Sequence, residues 1–177
     1  LRRQLRRNFR KPAMIFTPKS LLRHKLAVSP YAEMSQGRFR FVIPEIDEIE
    51  PPEKVRRVVI CSGKVYYDLL TERRAHEEND VAIIRLEQLY PFPEVTLGRV
   101  LLPYENADVV WCQEEPENMG AWCFVDRRIE KVLGRLEGRV RRPQYAGRDA
   151  AASSATGQAR VHAREQATLV AAALGIG

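Results

Sequence analysis

Two adjacent carboxylates, Glu114 and Glu115, follow an apolar run in the segment QEEPENMGAW (113–122). Paired carboxylates can serve as general acid and general base. Adjacent side chains on a strand, however, leave it on opposite faces and cannot act on one substrate. No histidine lies nearby in sequence to activate a nucleophile. The pattern therefore predicts no catalytic residue. We expect a turn, shaped by Pro116 and Gly120, from which Glu114 or Glu115 contacts another domain or a second protomer.

A second candidate site lies in the segment CSGK (61–64), between an apolar run and a helical pattern. Free N–H groups, a flexible glycine and the cation of Lys64 could hold a carboxylate or a phosphate. The spacing is not that of a P-loop, which needs GxxxxGK[ST]. The alternative is that Ser62 only caps the helix, which stabilises it by about 1 kcal/mol. The sequence leaves both interpretations open.

The charge distribution argues against nucleic-acid binding. The chain has 177 residues, enough for one well-packed domain, and a formal net charge of +6. Six basic residues and no acidic residue fall within residues 1–11, so the rest of the chain is neutral. A nucleic-acid-binding domain usually spreads its cations over one face and interleaves aromatic residues. No apolar run approaches the roughly 20 residues needed to span a bilayer.

The three cysteines, Cys61, Cys112 and Cys123, indicate a reducing compartment. Their odd number, with two of them in strand-like runs, is not a secreted disulfide framework. The sequence has no CxxC motif and no cysteine paired with a nearby histidine, so we expect no zinc site.

Apolar runs alternate with helical patterns along the chain. Strands are predicted at 13–16, 57–62, 81–86, 108–113 and 139–147. Most of these runs are continuous rather than alternating, which is typical of strands covered on both faces. Three sets of residues follow the spacing of three or four positions that is typical of one helix face. They are Tyr66, Leu69, Leu70 and Arg73; Trp122, Val125, Ile129, Val132 and Leu136; and Ala163, Ala167, Val170 and Leu174. We therefore predict a three-layer α/β/α fold with a mostly parallel five-stranded sheet, in which Trp122 is largely buried.

Two irregular segments connect these elements. The acidic, proline-rich stretch 44–54 is interpreted as a surface connection, and the small polar stretch 146–158 as a long loop before the last helix. In a parallel α/β sheet, ligands bind at the carboxyl ends of the strands. The segments expected at that edge are CSGK (61–64), RLEQLYPFP (85–93), QEEPENMGAW (113–122) and YAGR (145–148).

These motifs together resemble one family. The segments TPKSLLRH (17–24), VVICSGKVYYDL (58–69), VAIIRLEQLYPFP (81–93), WCQEEPENMGAW (111–122) and YAGRDAAASSATG (145–157) are similar, in this order, to the C-terminal, transketolase-C-like domain of the E1 component of 2-oxoglutarate dehydrogenase. The resemblance runs from about Leu1 to Gly175. It implies that residues 1–12 are the end of a linker helix from a preceding domain and that residues 13–177 form a single α/β C-terminal domain.

The resemblance also implies a function. The family's whole enzyme, an oxidoreductase of the tricarboxylic acid cycle, decarboxylates 2-oxoglutarate on thiamine diphosphate with Mg²⁺. It passes the succinyl group to the lipoyl arm of the E2 succinyltransferase, in a multienzyme complex with E3. The motif that holds the magnesium diphosphate is absent here, so the isolated chain is expected to bind no cofactor or metal and to be inactive. The expected location is the bacterial cytoplasm or the mitochondrial matrix.

In this family the C-terminal domain supports a homodimer, and in some members it helps to bind a nucleotide effector, AMP or acetyl-CoA. The positions of this chain that match are Arg2 or Arg3, Ser35, Arg85 and Gln88, and Ser62 and Lys64 join them as candidate anion ligands. Some members carry basic residues directly after the YPxP element, where this chain has Glu94 and Val95, which disfavours acetyl-CoA. The competing functions are a free-standing α/β nucleotide-binding or anion-binding module and a hydrolase. The hydrolase lacks a nucleophile placed beside a base.

Overall fold

A five-stranded sheet forms the middle layer of the protein in the computed structural model, which describes residues 2–138 and 140–176 and, for Arg2 and Arg3, the backbone only. The strand order is β1-β3-β2-β4-β5. All neighbouring pairs are parallel except β1 and β3, which are antiparallel. The strands are β1 (Val42–Ile43), β2 (Arg57–Cys61), β3 (Val81–Leu86), β4 (Asp108–Pro116) and β5 (Gln144–Arg148).

Helices cover both faces of this sheet. They are α1 (Arg2–Leu5), α2 (Tyr31–Gln36), α3 (Val65–Ala75), α4 (Glu94–Leu101), α5 (Trp122–Leu133) and α6 (Ala159–Leu174), and short 3-10 turns lie at Lys19–Arg23 and Pro52–Lys54. Helices α4 and α5 pack on the face formed by Ile60, Ile84 and Trp111, whereas α3 and α6 pack on the opposite face. The predicted three-layer α/β/α class is confirmed, since successive residues of the central strands are buried on alternate sides.

The acidic connection 44–54 is more than a surface crossing, because it carries a buried ion-pair cluster. The Arg73 guanidinium, with its side chain only 3% exposed, contacts the carboxylates of Glu45 and Asp47 and donates to the carbonyl of Val81. The Glu45 carboxylate also accepts the backbone N–H of Ile83 at 2.7 Å. Since β1 pairs with β3 over only two residues, this carboxylate completes the hydrogen bonding of the β3 backbone just beyond β1.

The carboxyl end of α6 is held by the two arginines that lead into β2. Arg57 donates to the Ala172 carbonyl at 3.0 Å, and Arg56 donates to the Leu174 carbonyl at 3.2 Å. Cations at this end of a helix satisfy its last carbonyls and favour its dipole. The helix ends at Gly175 with φ of 70°, a left-handed conformation that suits glycine.

Several predicted elements differ from the structure. Residues 13–16 are not a strand within the described chain, and the fifth strand is instead the short β1. Strand β5 begins only at Gln144, and Arg139, the start of the predicted strand, lies outside the described residues. Helix α4, which sequence periodicity did not single out, follows the YPFP segment. The last helix buries Leu169, Val170, Ala173 and Leu174, whereas the predicted Ala163 and Ala167 are exposed.

One of the two interpretations of Ser62 and the prediction for Trp122 are also wrong. Ser62 is not a helix cap, because α3 begins at Val65 with Lys64 in the cap position and without a side-chain capping bond. Trp122 is only partly buried and packs against Tyr145, with ring centroids 5.2 Å apart. The fully buried tryptophan is Trp111 on β4.

Candidate functional site

The carboxyl edge of the sheet holds an ion pair at the point where the strand order reverses. Strand β2 has β3 on one side and β4 on the other, and open α/β sheets bind ligands at such a switch point. Here the Lys64 ammonium lies 2.6 Å from Glu114 Oε1 and 3.3 Å from Asp68 Oδ2. Burial disfavours the charged ammonium, but the hydrogen bonds and charges of Glu114 and Asp68 outweigh it and raise the pKa of Lys64 above its ordinary value. The cation of CSGK is thus engaged by this chain's own carboxylates.

The two glutamates of QEEPENMGAW separate as the strand geometry predicts. Strand β4 continues through Pro116, and Glu114 turns towards α3, whereas Glu115 is exposed. The two carboxylates therefore have different surroundings. Glu114 already has a cationic partner within the domain, so Glu115 is the more accessible of the two for an outside contact.

Gln113 is the residue that organises this segment, and it was not singled out from the sequence. Its side-chain Oε1 accepts hydrogen bonds from Trp111 Nε1 at 3.0 Å and from the backbone N–H groups of Ala121 at 3.2 Å and Trp122 at 2.9 Å. Those backbone donors belong to the first turn of α5, where helices leave N–H groups without internal partners. Its Nε2 donates to three carbonyls, those of Glu115, Pro116 and Met119. One buried amide thereby joins the end of β4 to the start of α5.

Gly120 is required by the same arrangement. It adopts φ of +66°, and a Cβ atom there would lie 2.9 Å from Glu115 Cβ and 3.0 Å from Gln113 Nε2. Any side chain would combine backbone strain with displacement of the buried amide. The sequence-based view that Gly120 sets the path of the turn agrees with this geometry.

Side-chain hydrogen bonds tie the turn to the loop that follows β5. Asn118 donates from Nδ2 to the Ala151 carbonyl and accepts from the Ala151 N–H, both at 3.0 Å. The Tyr145 hydroxyl donates to the Arg148 carbonyl at 2.9 Å, and burial raises the pKa of this phenol to about 12. The loop and the turn therefore form one connected surface beside the switch point.

A cavity of about 510 Å³ lies beneath residues 149–158, at the carboxyl end of β5. Two of its four charged residues, Arg148 and Glu165, pair with each other. The Arg148 Nε lies 3.2 Å from Glu165 Oε2, its Nη2 lies 2.7 Å from His162 Nδ1, and Thr156 Oγ1 donates to the same Glu165 oxygen. Because Asp149 and Glu165 balance Arg148 and Arg164 along its walls, the cavity carries no marked preference for an anion.

A second cavity, of about 430 Å³, is lined by Arg85 and lies between β1, the end of β3 and the segment around α2. The Arg85 guanidinium stands 4.4 Å above the Tyr66 ring, and its buried Nε lies 3.5 Å from Glu87 Oε1, an ion pair without a well-formed hydrogen bond. Arg38 and Arg40 line the same cavity, where Arg40 pairs with Glu33 at 3.1 Å. This is the most cationic cavity at the carboxyl edge of the sheet within the described residues.

The structure does not gather the predicted anion ligands into one site. Arg85 lines the 430 Å³ cavity, but Ser35 donates its hydroxyl to the Tyr31 carbonyl within α2, and Gln88 donates to the Pro91 carbonyl at 2.8 Å. Ser62 and Lys64 lie at the end of β2, where Lys64 meets Glu114. The side chains of Arg2 and Arg3 lie outside the described residues.

The described chain has neither a metal-binding cluster of side chains nor a helix that could span a membrane. Residues 2–138 and 140–176 contain no group of three or more His, Cys, Asp or Glu side chains that could hold a metal ion. All three cysteines are free thiols, and Cys61 and Cys112 are neighbours in the β2–β4 register. Burial raises the pKa of Cys112 to about 12, so this thiol stays protonated. In the same part of the chain, no helix is long and apolar enough to cross a membrane.

The chain is therefore a three-layer α/β/α domain. At the carboxyl edge of its sheet, ion pairs and hydrogen bonds within the chain join the strand ends to the neighbouring loops. Comparison with known sequences specifies it further. Residues 28–174 match the sequence model of the 2-oxoglutarate dehydrogenase C-terminal family, and the chain belongs to this family. It is 50% identical over 171 residues to the 2-oxoglutarate dehydrogenase E1 component of Azotobacter vinelandii, covering 96% of this chain and 18% of that protein.

The E1 components of Brucella ovis and Brucella canis are each 48% identical over 184 residues, covering 99% of this chain and 18% of those proteins. The chain thus spans less than a fifth of the length of the curated relatives that it matches.

Proposed function

We propose that this chain is the C-terminal domain of an E1 component that decarboxylates 2-oxoglutarate and passes the succinyl group to a lipoyl-bearing E2 partner. The observation that supports the proposal best is about 50% identity, maintained over 96% of the chain, to proteins named as 2-oxoglutarate dehydrogenase E1 components. The bacterial sources of these relatives favour the cytoplasm over the mitochondrial matrix.

The motif by which the family holds its magnesium diphosphate is absent from this sequence. We therefore assign the binding of thiamine diphosphate and Mg²⁺ to other parts of the whole protein. The role of this chain is structural and regulatory support of that centre, within a homodimer and a complex with E2 and E3.

The proposed interface with another domain or a second protomer uses the turn between β4 and α5. Gln113 fixes the backbone of this turn, and Glu115 is exposed on it. A rigid turn loses little conformational entropy when it docks, so an exposed acid on it is suited to a cationic partner. Glu114 contributes through Lys64, whose ammonium it holds at the adjacent strand end.

The proposed effector site is the 430 Å³ cavity lined by Arg85, Arg38 and Arg40, and its ligand is the phosphate of a nucleotide. Guanidinium groups recognise phosphate with charged, bidentate hydrogen bonds. Arg2 and Arg3 are proposed as further cations from the amino-terminal segment. The remaining candidates, Ser35, Ser62, Lys64 and Gln88, do not line this cavity. The acids Glu33 and Glu87 also line this cavity, so a nucleotide phosphate would have to displace the Arg40–Glu33 pair and the Arg85–Glu87 pair.

The function is tested on the whole protein of which this chain is the C-terminal part. Release of CO₂ should require 2-oxoglutarate and thiamine diphosphate, with pyruvate as the comparison substrate turned over at least tenfold more slowly. Arg85→Met should weaken the response to AMP and leave turnover without effector unchanged, with Arg99→Met on α4 as a matched control. Equal turnover of pyruvate would contradict the substrate assignment, and an unchanged AMP response in Arg85→Met would contradict the effector site alone.

A further inference from the structure

An apolar cavity of about 270 Å³ lies at the amino edge of the sheet, between the turn that follows α4 and the segment that follows α5. Its floor belongs to the buried core, because Leu101, Ala107, Val109 and Leu133 line it. Protein interiors contain few voids larger than a water molecule. A cavity of this volume with apolar walls is therefore a candidate binding site for a small molecule.

The cavity is separate from the two cavities at the carboxyl edge. Strand β4 runs from Asp108 to Pro116, so Ala107 and Val109 mark its amino end and the switch point lies at its other end. None of the candidate anion ligands of the carboxyl edge lines it. A ligand bound here would therefore occupy a site distinct from the proposed effector site.

Three oxygen-bearing side chains line the same cavity without a hydrogen-bond or ion-pair partner among residues 2–138 and 140–176. They are the exposed carboxylates of Glu105 and Glu137 and the half-buried hydroxyl of Tyr104. Arg135 also lines the cavity, but its Nη1 lies 2.8 Å from Oε2 of Glu94, which lies outside the lining. Burial raises the pKa of Tyr104, so its phenol stays neutral at physiological pH. The mouth of the cavity is therefore acidic and offers hydrogen-bond acceptors.

A primary ammonium group is the chemical complement of this mouth. It carries one positive charge and three N–H donors, and it has no acceptor. An apolar body attached to it would leave water and gain dispersion contacts on the floor of the cavity. A carboxylate in the same place would meet two like charges, and a hydroxyl would bring a single donor and no charge.

We propose that this cavity binds a small organic amine, whose ammonium group contacts Glu105, Glu137 and Tyr104 and whose apolar body packs on Val109 and Leu133. The volume suits a body the size of a phenyl ring or a branched alkyl group. The proposal is independent of the proposed function, because it uses no residue of the carboxyl edge.

Three probes that share a phenyl group and differ in the polar head test the proposal. They are 2-phenylethylamine, 2-phenylethanol and 3-phenylpropionate, titrated by saturation-transfer NMR against the whole protein that contains this chain. The amine should bind with a dissociation constant of about 0.1–1 mM, which is ordinary for a ligand of this size. The alcohol and the carboxylate should bind at least about tenfold more weakly, because neither supplies the charge that two partly exposed carboxylates attract.

Variants of the cavity separate recognition of charge from recognition of shape. Glu105→Gln combined with Glu137→Gln should weaken amine binding by about tenfold and leave that of the alcohol unchanged within about twofold. Glu48→Gln combined with Glu53→Gln is the matched control, since both glutamates are exposed and lie outside the cavity. Ala107→Leu should fill the floor and weaken the binding of the amine and the alcohol alike. If Ala107→Leu does not fold, the variants of the exposed glutamates still decide the question.

Four results would overturn the proposal. Absence of amine binding to the whole protein, or equal affinities for the amine and the alcohol, would exclude recognition of an ammonium group. Amine binding that is unchanged in the Glu105 and Glu137 double variant would place the amine at another site. Binding to the 177-residue chain but not to the whole protein would show that another part of the protein covers the cavity. Each of these results leaves turnover of 2-oxoglutarate untouched, so failure of this proposal is distinguishable from failure of the proposed function.

Discussion

Replacement of Gln113 by leucine should destabilise the domain by about 3 kcal/mol. Six hydrogen bonds to Gln113 are lost, and two of them are fully buried: that from Trp111 Nε1, which is left without a partner, and that to the Pro116 carbonyl, which keeps only the N–H of Met119. Each buried polar group without a partner costs about 1–3 kcal/mol. The other four contacts are only partly buried, so water can replace some of them. The greater apolarity of leucine offsets about 1 kcal/mol of the loss.

Urea unfolding followed by tryptophan fluorescence measures this loss directly. A change of about 3 kcal/mol corresponds to a Tm lower by roughly 6–12 °C for a domain of this size. Gln158→Leu is the matched control, because Gln158 precedes α6 without a side-chain capping bond and is exposed. It should change the unfolding free energy by less than about 0.5 kcal/mol. A loss below about 1 kcal/mol for Gln113→Leu would refute the view that this amide organises the turn.

Three further predictions concern the core and its charges. Arg73→Met should lower the free energy of unfolding by about 3–5 kcal/mol, because it leaves the carboxylates of Glu45 and Asp47 without their main cation, and Glu45 is only 7% exposed. Adding Glu45→Gln to that variant should restore part of the stability, since it removes the unpaired buried charge. Hydrogen bonds from Arg74, against the opposing effect of burial, and from Arg73 hold the pKa of Asp47 below its ordinary value. A carboxyl whose pKa is lowered by folding stabilises the folded state at pH values above its unfolded-state pKa, and this stabilisation is lost as the pH falls through its folded-state pKa. In Arg74→Ala the pKa of Asp47 is lowered less, so the free energy of unfolding should fall less steeply with pH below about pH 4. Trp111→Ala should cost about 3–5 kcal/mol in thermal unfolding and Trp122→Ala less than half of that, since only Trp111 is fully buried; equal losses would contradict the assignment of the core tryptophan.

The central part of the sheet was predictable because its signals are local. The apolar runs of β2, β3 and β4 are continuous, and the structure places these strands within one residue of the predicted starts. Burial of Leu69, Val125 and Ile129 followed from helical spacing in the same way. The prediction failed at residues 13–16, where an apolar run with strand character pairs with no strand among the described residues. Strand β1 is only two residues long and is fixed by distant contacts, which no local pattern encodes.

The candidate site was predictable in its location but not in its contacts. The carboxyl ends of the strands were identified correctly, since their placement follows from parallel topology. The partner of Lys64 is 50 positions away in sequence, and the six hydrogen bonds of Gln113 depend on the path of the chain up to Trp122, nine positions later. One signal for Gln113 was available. Gln113 lies two positions after Trp111 and four after Val109, so its side chain is on the same face of β4, the face covered by α5. A polar side chain on that buried face must have hydrogen-bond partners within the protein.

Titration calorimetry with thiamine diphosphate and Mg²⁺ tests most directly the claim that this chain supports a catalytic centre held elsewhere in its protein. The 177-residue chain should give no measurable heat of binding up to millimolar cofactor, whereas the whole protein should bind in the micromolar range. Micromolar binding by the 177-residue chain alone would contradict the account, because the cofactor site would then lie within the domain described here.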